Sequence, residues 1–172
     1  AAELIPVHPS PAVLCTAQHR LHEKTALLKA GIPVAPFRNV ESLNDLKSAS
    51  DALGFPMVLK TSTQGYDGKG QVMITRAEDI EHSYELLNKN KTELIVEQFV
   101  PFKMEISTIC ARTADGKTAT FPPSENIHRN HILDISIVPA RIDESVIENA
   151  RLLAADIAVQ LNVVGLISVE MF

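Results

Sequence analysis

The chain has 172 residues, 45% of them apolar and 22% charged, an ordinary globular composition with enough length for one domain or two small lobes. A net charge of −5 without any lysine or arginine block argues against a nucleic-acid-binding surface. No apolar run approaches the roughly 20 residues that span a membrane, and the N-terminus lacks the basic-then-apolar order of a signal peptide. Cys15 and Cys110 lie far apart, and they read as reduced thiols of a cytoplasmic protein.

Residues 1–9 carry a fragment of strand with no partner before it. Ser10-Pro11 then starts a helix, with serine as N-cap and proline at the first helical position. The helical stretch runs to about Ala30, with a break near Ala17, and Leu14, Ala17, Leu21 and Leu28 form one expected buried stripe. His19, His22 and Glu23 could suggest a metal site, but no third ligand of suitable spacing is in view and a solvated polar face explains them better.

A proline-rich linker, 32–36, leads to a short strand at 37–40. Ser42 caps a helix that turns Leu43, Leu46, Ala49 and Leu53 inward and stops at Gly54. Two apolar runs, Met57-Val58-Leu59 and Gln71-Val72-Met73-Ile74, flank a loop reading Lys-Thr-Ser-Thr-Gln-Gly-Tyr-Asp-Gly-Lys-Gly from Lys60 to Gly70. Its glycines let backbone approach a ligand, and Lys60 and Lys69 add positive charge for anionic oxygens. A hairpin tip with solvated lysines is the bland alternative. The loop is neither a Walker A sequence nor a dinucleotide fingerprint, because Gln71 follows Gly70 and a strand follows instead of a helix. A helix over 77–88 and a strand over 94–99 complete a strand-helix-strand-strand-helix-strand module, a small sheet with two helices on one side.

After Pro101 the pattern restarts. Residues 104–112 alternate as a strand, with Glu105 and Ser107 on one face and Met104, Ile106, Thr108 and Cys110 on the other. Asp115-Gly116 marks a hairpin returning through 117–121. Residues 124–131 are expected to be a polar loop, followed by a strand at 132–138. Asp143 should cap a helix to about Leu161 with Val146, Ala150, Leu153, Ile157 and Leu161 inward, and 163–172 should be a last strand.

Glu170 interrupts that apolar strand, where burial of a lone charge would be costly unless it were paired or metal-bound; the solvated face of an edge strand is the alternative. Lys60 poses a similar puzzle at the end of Val58-Leu59, one that a phosphate would resolve. A lysine, a glycine-rich loop and a distant strand carboxylate together point to magnesium-nucleotide chemistry.

Several segments carry a resemblance: 18–24 (Gln-His-Arg-Leu-His-Glu-Lys), 58–61 (Val-Leu-Lys-Thr), 65–70 (Gly-Tyr-Asp-Gly-Lys-Gly), 97–102 (Glu-Gln-Phe-Val-Pro-Phe), 125–129 (Glu-Asn-Ile-His-Arg), 137–141 (Ile-Val-Pro-Ala-Arg) and 169–172 (Val-Glu-Met-Phe). With these the chain resembles the ATP-grasp superfamily, and within it the N5-carboxyaminoimidazole ribonucleotide synthetase family of purine biosynthesis. His19 departs from the aspartate usual there. The resemblance implies an α+β ATP-grasp fold, two α+β lobes with nucleotide between them, incomplete at both ends. Residues 1–33 would be the tail of a preceding nucleotide-fold domain with linking helices, 34–98 the small lobe and 102–172 a truncated large lobe.

The resemblance also implies roles. Arg20 and Lys60 would contact ATP phosphates, and Gly65, Tyr66, Asp67, Gly68, Lys69 and Gly70 would cover them. Glu97, Gln98, Phe99 and Val100 would read adenine, and Glu105 the ribose hydroxyls. His128 would lie near the phosphates, Tyr66 and Asp67 would face the acceptor, and Lys60, Asp67 and His128 would form the catalytic set. Glu170 would hold magnesium. ATP and Mg2+ are the implied cofactors, bicarbonate and 5-aminoimidazole ribonucleotide the substrates, and a homodimer the implied assembly, without nucleic acid or membrane. Two alternatives remain: another ATP-grasp carboxylase or amine ligase, such as the formate-dependent glycinamide ribonucleotide transformylase, or a non-catalytic nucleotide-binding module.

Overall fold

The computed structural model describes residues 5–63, 70–89 and 91–172. In chain order the elements are α1 (Pro11–Ala17), α2 (Arg20–Lys29), β1 (Phe37–Val40), α3 (Leu43–Leu53), β2 (Met57–Thr61), β3 (Gln71–Ile74), a 3-10 turn (Ala77–Asp79), α4 (Ile80–Leu87), β4 (Leu94–Gln98), β5 (Glu105–Arg112), β6 (Thr118–Thr120), β7 (Ser124–Arg129), β8 (Ile132–Ile137), α5 (Glu144–Gln160) and β9 (Gly165–Met171). They form two compact units, Gln18–Pro101 and Ala1–Ala17 with Phe102–Phe172. The segment 1–33 is therefore divided, α1 falling in one unit and α2 in the other. No helix among the described residues is long and apolar enough to cross a membrane.

The unit Gln18–Pro101 is built on an antiparallel sheet ordered β1-β4-β2-β3. Helix α3 starts where Ser42 accepts a hydrogen bond from the Asp45 amide while Asp45 Oδ2 accepts one from the Ser42 amide, a reciprocal capping box. This helix brings Leu46, Ala49 and Leu53, and α4 brings Ile80, onto one face of the sheet. There they bury Val40, Met57, Leu59, Ile74, Leu94 and Val96. Period-2 alternation then turns Val58 and Lys60 of β2, and Ile95 and Glu97 of β4, to the opposite face. The amino end of α2 is tied to this sheet: the Arg20 amide donates to the Ser62 carbonyl at 2.8 Å, and Arg20 Nη1 donates to the Thr61 carbonyl at 2.7 Å.

In the other unit β9 runs along one edge of β5, while β6 and β7 share its opposite edge and β8 follows β7. Helix α5 covers one face, packing Ala150, Ala154, Ile157 and Ala158 inward. Cys110 lies in the core with Ala154, Ala158, Val163 and Val13 of α1, and burial pushes its thiol pKa up. Ile106 packs with Ala140 and Ala150.

Four expectations are corrected. The stripe Leu14, Ala17, Leu21 and Leu28 does not exist: Leu14, Ala17 and Leu28 are exposed, because the helix breaks after Ala17 and its two halves lose their common phase. The polar segment 124–131 is mostly strand β7, which turns into β8 at Asn130 and His131, both at positive φ. Its polar side chains bond across the sheet, so a strand forms without apolar alternation. Along α5 the buried stripe is dominated by alanines, which let the helix sit close to the sheet, and Val146 is exposed. Asp143 holds the N-cap position of α5 in extended backbone, but its side chain makes no capping hydrogen bond.

Candidate functional site

In the unit Gln18–Pro101 the register sets Lys60 opposite Ile95 and Val58 opposite Glu97, so Lys60 and Glu97 are diagonal neighbours on one face. Long side chains span that separation, and Lys60 Nζ lies 3.0 Å from Glu97 Oε2. Lys24, projecting from α2, reaches the same oxygen at 3.3 Å. Glu97 is buried, its side chain 6% exposed, and its second oxygen, Oε1, is buried without a hydrogen-bond partner among the described residues. The group is two ammonium ions on one carboxylate, an excess of positive charge with one acceptor in reserve. Lys60 is therefore already paired, and its place on an apolar strand does not by itself call for a phosphate.

Sequence reasoning gave Lys24 no role. Nothing in a helical pattern marks a lysine as half of a tertiary ion pair, and only its phase relative to Arg20 would have hinted at it. Gln98 and Phe99 engage the scaffold: Gln98 Nε2 donates to the Leu53 carbonyl, the Gln98 amide to that of Pro36, and the Phe99 amide to that of Pro56. Val100 follows at the end of this segment, half-buried. Gly70 closes the β2-β3 ladder through its carbonyl, which accepts from the Thr61 amide at 2.9 Å. Gly65, Tyr66, Asp67, Gly68 and Lys69 lie outside the described residues. His19 stacks on His22 with ring centroids 3.9 Å apart and bonds Glu93 at 2.8 Å, a contact that ties α2 to the entry of β4.

In the other unit the face of the sheet away from α5 carries a cluster of polar residues beside the exposed Ile109, Leu133 and Leu166. Glu105 and Ser107 of β5, Ser124, Asn126 and His128 of β7, Ser136 of β8 and Glu170 of β9 share it by register. Asn126 Nδ2 donates to Ser107 Oγ at 2.9 Å, the Ser107 and Ser124 hydroxyls are 2.7 Å apart, and Ser136 Oγ donates to Asn126 Oδ1 at 3.0 Å. His128 Nδ1 lies 3.5 Å from Glu105 Oε2, which brings together two of the expected site residues. Glu170 stands opposite Ser107 and is exposed. The argument from the cost of burying it therefore lapses, since β9 presents it to solvent.

Among the described residues no group of three or more His, Cys, Asp or Glu could hold a metal. A single exposed carboxylate does fit an ion such as magnesium, which keeps several waters and takes phosphate oxygens alongside one or two carboxylates.

On the covered face of the same sheet, Glu125 is buried and gripped by Arg141 through two hydrogen bonds, Nε to Oε2 at 2.8 Å and Nη2 to Oε1 at 2.6 Å. Those bonds hold the Glu125 carboxyl below the usual carboxylate range and raise the Arg141 pKa, with burial opposing both shifts. Two residues of the recognisable segments therefore brace β7 to the chain that precedes α5.

The ATP-grasp domain family model matches residues 25–172. N5-carboxyaminoimidazole ribonucleotide synthase of Bacillus subtilis is 45% identical over 93% of this chain and 42% of its own length. A crystal structure of an N5-carboxyaminoimidazole ribonucleotide synthetase in complex with ADP superposes with a TM-score of 0.87 at 45% identity, covering 94% of this chain and 42% of that one. The Aspergillus clavatus synthase in complex with ADP and 5-aminoimidazole ribonucleotide superposes with a TM-score of 0.90 at 28% identity, covering 99% of this chain and 44% of that one. The chain spans less than half the length of these relatives.

Proposed function

We propose that this chain, which belongs to the ATP-grasp family, is the ATP-handling portion of an enzyme that carboxylates 5-aminoimidazole ribonucleotide at the expense of ATP. The observation that carries this reading is the 45% identity to the Bacillus subtilis synthase along 93% of the chain. The charge arrangement of each unit supports it. In one, Lys60 and Lys24 converge on a carboxylate with an acceptor in reserve, and Arg20 bonds the carbonyl of Thr61, the residue after Lys60; in the other, Glu105, His128 and Glu170 lie on one face of the sheet.

In this reading a bicarbonate oxygen attacks the γ-phosphorus of ATP, the β–γ bridging bond breaks, and ADP leaves with the bond's electron pair. The exocyclic amine of the acceptor then takes up the carboxyl group of carboxyphosphate, phosphate departs, and the amine loses a proton. Lys60 and Arg20 offset phosphate charge, worth most where water is excluded. Glu97 accepts from the adenine amine beside the backbone of Gln98, Phe99 and Val100, and Glu105 accepts from ribose hydroxyls. His128 lies by the phosphates. Gly65, Gly68, Lys69 and Gly70 cover them, and Tyr66 and Asp67 face the acceptor. Glu170 would hold magnesium, which supplies charge neutralisation across the phosphates. A cytoplasmic homodimer belongs to the same reading.

The test uses the longer protein that contains this chain. ADP release should require ATP, bicarbonate and 5-aminoimidazole ribonucleotide together, with an N-carboxylated product that reverts in acid. Turnover with formate and glycinamide ribonucleotide instead would replace this reading with its nearest alternative, and nucleotide binding without any turnover would reduce the chain to a binding module.

A further inference from the structure

Among the described residues at the Glu97 cluster, Lys24 is the charged group for which the proposed reaction supplies no task. Its side chain is 15% exposed, against 24% for Lys60, and both ammonium groups converge on Glu97 Oε2 while Oε1 has no partner among the described residues. Two cations at one buried carboxylate repel each other. An arriving polyphosphate therefore relieves the cluster by drawing one of them away.

The structure distinguishes which one moves. Lys60 is the more exposed, and it sits on β2 one residue before Thr61, whose amide meets Gly70 at the far end of the glycine-rich segment. Lys24 rides on α2, whose first turn is fastened to the sheet by the Arg20 amide and guanidinium. If Lys60 left and Lys24 were not there, a buried carboxylate would stand uncompensated, which is strongly unfavourable.

We infer that Lys24 is a positioning residue: it stays on Glu97 when Lys60 turns to phosphate, and it keeps Oε1 oriented to accept from a purine 6-amino group. This rests on the nucleotide reading above. It adds a basis for base selection, because a carboxylate oxygen held this way attracts the amine of adenine and repels the carbonyl of guanine. The two functions are linked. Without Lys24, Lys60 must serve either the carboxylate or the phosphate.

The longer protein carrying Lys24→Met should bind ADP about ten-fold more weakly in calorimetry, the loss of one charge-assisted contact. Its KM for ATP should rise similarly while kcat at saturating ATP changes far less. The preference for ADP over GDP should narrow, and Lys24→Arg should restore both affinity and preference. A Lys24→Met, Lys60→Met double variant should be less impaired than the product of the two single effects. Lys24→Gln replaces the methionine variant if that one does not fold, as judged by its melting midpoint without nucleotide. Unchanged ADP affinity and unchanged base preference in a folded variant would overturn the inference while leaving the function intact. A parent protein that binds neither ADP nor ATP would overturn both.

Discussion

In the unit Gln18–Pro101 a four-stranded sheet is sealed on one face by α3 and α4, and on its other face the half-buried Lys60 and the buried Glu97 pair with each other, with Lys24 on the same carboxylate oxygen. In the unit formed by Ala1–Ala17 and Phe102–Phe172 the sheet is covered by α5, while Glu170 and the outer residues of β8 stand exposed. Leu133 at 50% exposure and Leu59 at 0% show the contrast. A buried, net positive cluster can recognise an anion through a few fixed contacts. An open face of carboxylates, hydroxyls and an imidazole is suited to a hydrated cation and to sugar hydroxyls. The two units thus differ in how they hold charge: one buries a carboxylate under two ammonium groups, and the other leaves a carboxylate on an open strand face.

The largest effect should come from attacking the sealed core. Leu59→Ala should cost about 2–5 kcal/mol of stability, whereas Leu133→Ala should stay within about 0.5 kcal/mol. Urea unfolding of the two variants compares them directly, and equal losses would erase the distinction between a closed and an open unit. Next comes the exposed carboxylate: Glu170→Gln in the longer protein should lower turnover on the order of 100-fold with little shift in melting midpoint. A variant that melts early but turns over normally would make Glu170 a structural residue. Lys60→Ala should weaken ATP binding by about 1.5–3 kcal/mol without unfolding the chain, and calorimetry with ATP would show whether its phosphate role holds.

The smallest effect tests the brace on the covered face. Because Arg141 lowers the folded pKa of Glu125, the pair's contribution to stability is complete above the unfolded carboxyl pKa of about 4.3. It fades as pH falls through the lower folded value. Glu125→Gln should therefore reduce stability at neutral pH and flatten the acid limb of a stability-against-pH curve measured in urea. An unchanged acid limb would assign the acid sensitivity to other carboxylates.

Some of this is legible in the sequence alone. Helix α3 announced itself through Ser42, the inward spacing of Leu46, Ala49 and Leu53, and the stop at Gly54, which are local rules acting within one turn or two. The β2 and β3 strands declared themselves by short apolar runs on either side of glycines. Strand β7 did not, because Ser124, Asn126 and Glu125 owe their strand conformation to partners on β5, β8 and the chain before α5. A periodicity argument sees polar residues there and reads a loop. The same blindness hid Lys24, whose partner lies on β4, and it made Lys60 look solitary. Tertiary ion pairs leave no trace in sequence spacing.

The position of the two cysteines has a practical consequence in reaction rates. Cys15 is exposed on α1, whereas Cys110 is fully buried between β5 and α5 with its thiol pKa pushed up. Alkylation proceeds through the thiolate, so the native chain should consume one equivalent of reagent quickly and the second only as fast as α5 lifts from the sheet. The slow phase then serves as a clock for the opening of that unit, readable without any introduced label. Because the unit Gln18–Pro101 contains no cysteine, the clock is silent about its motions.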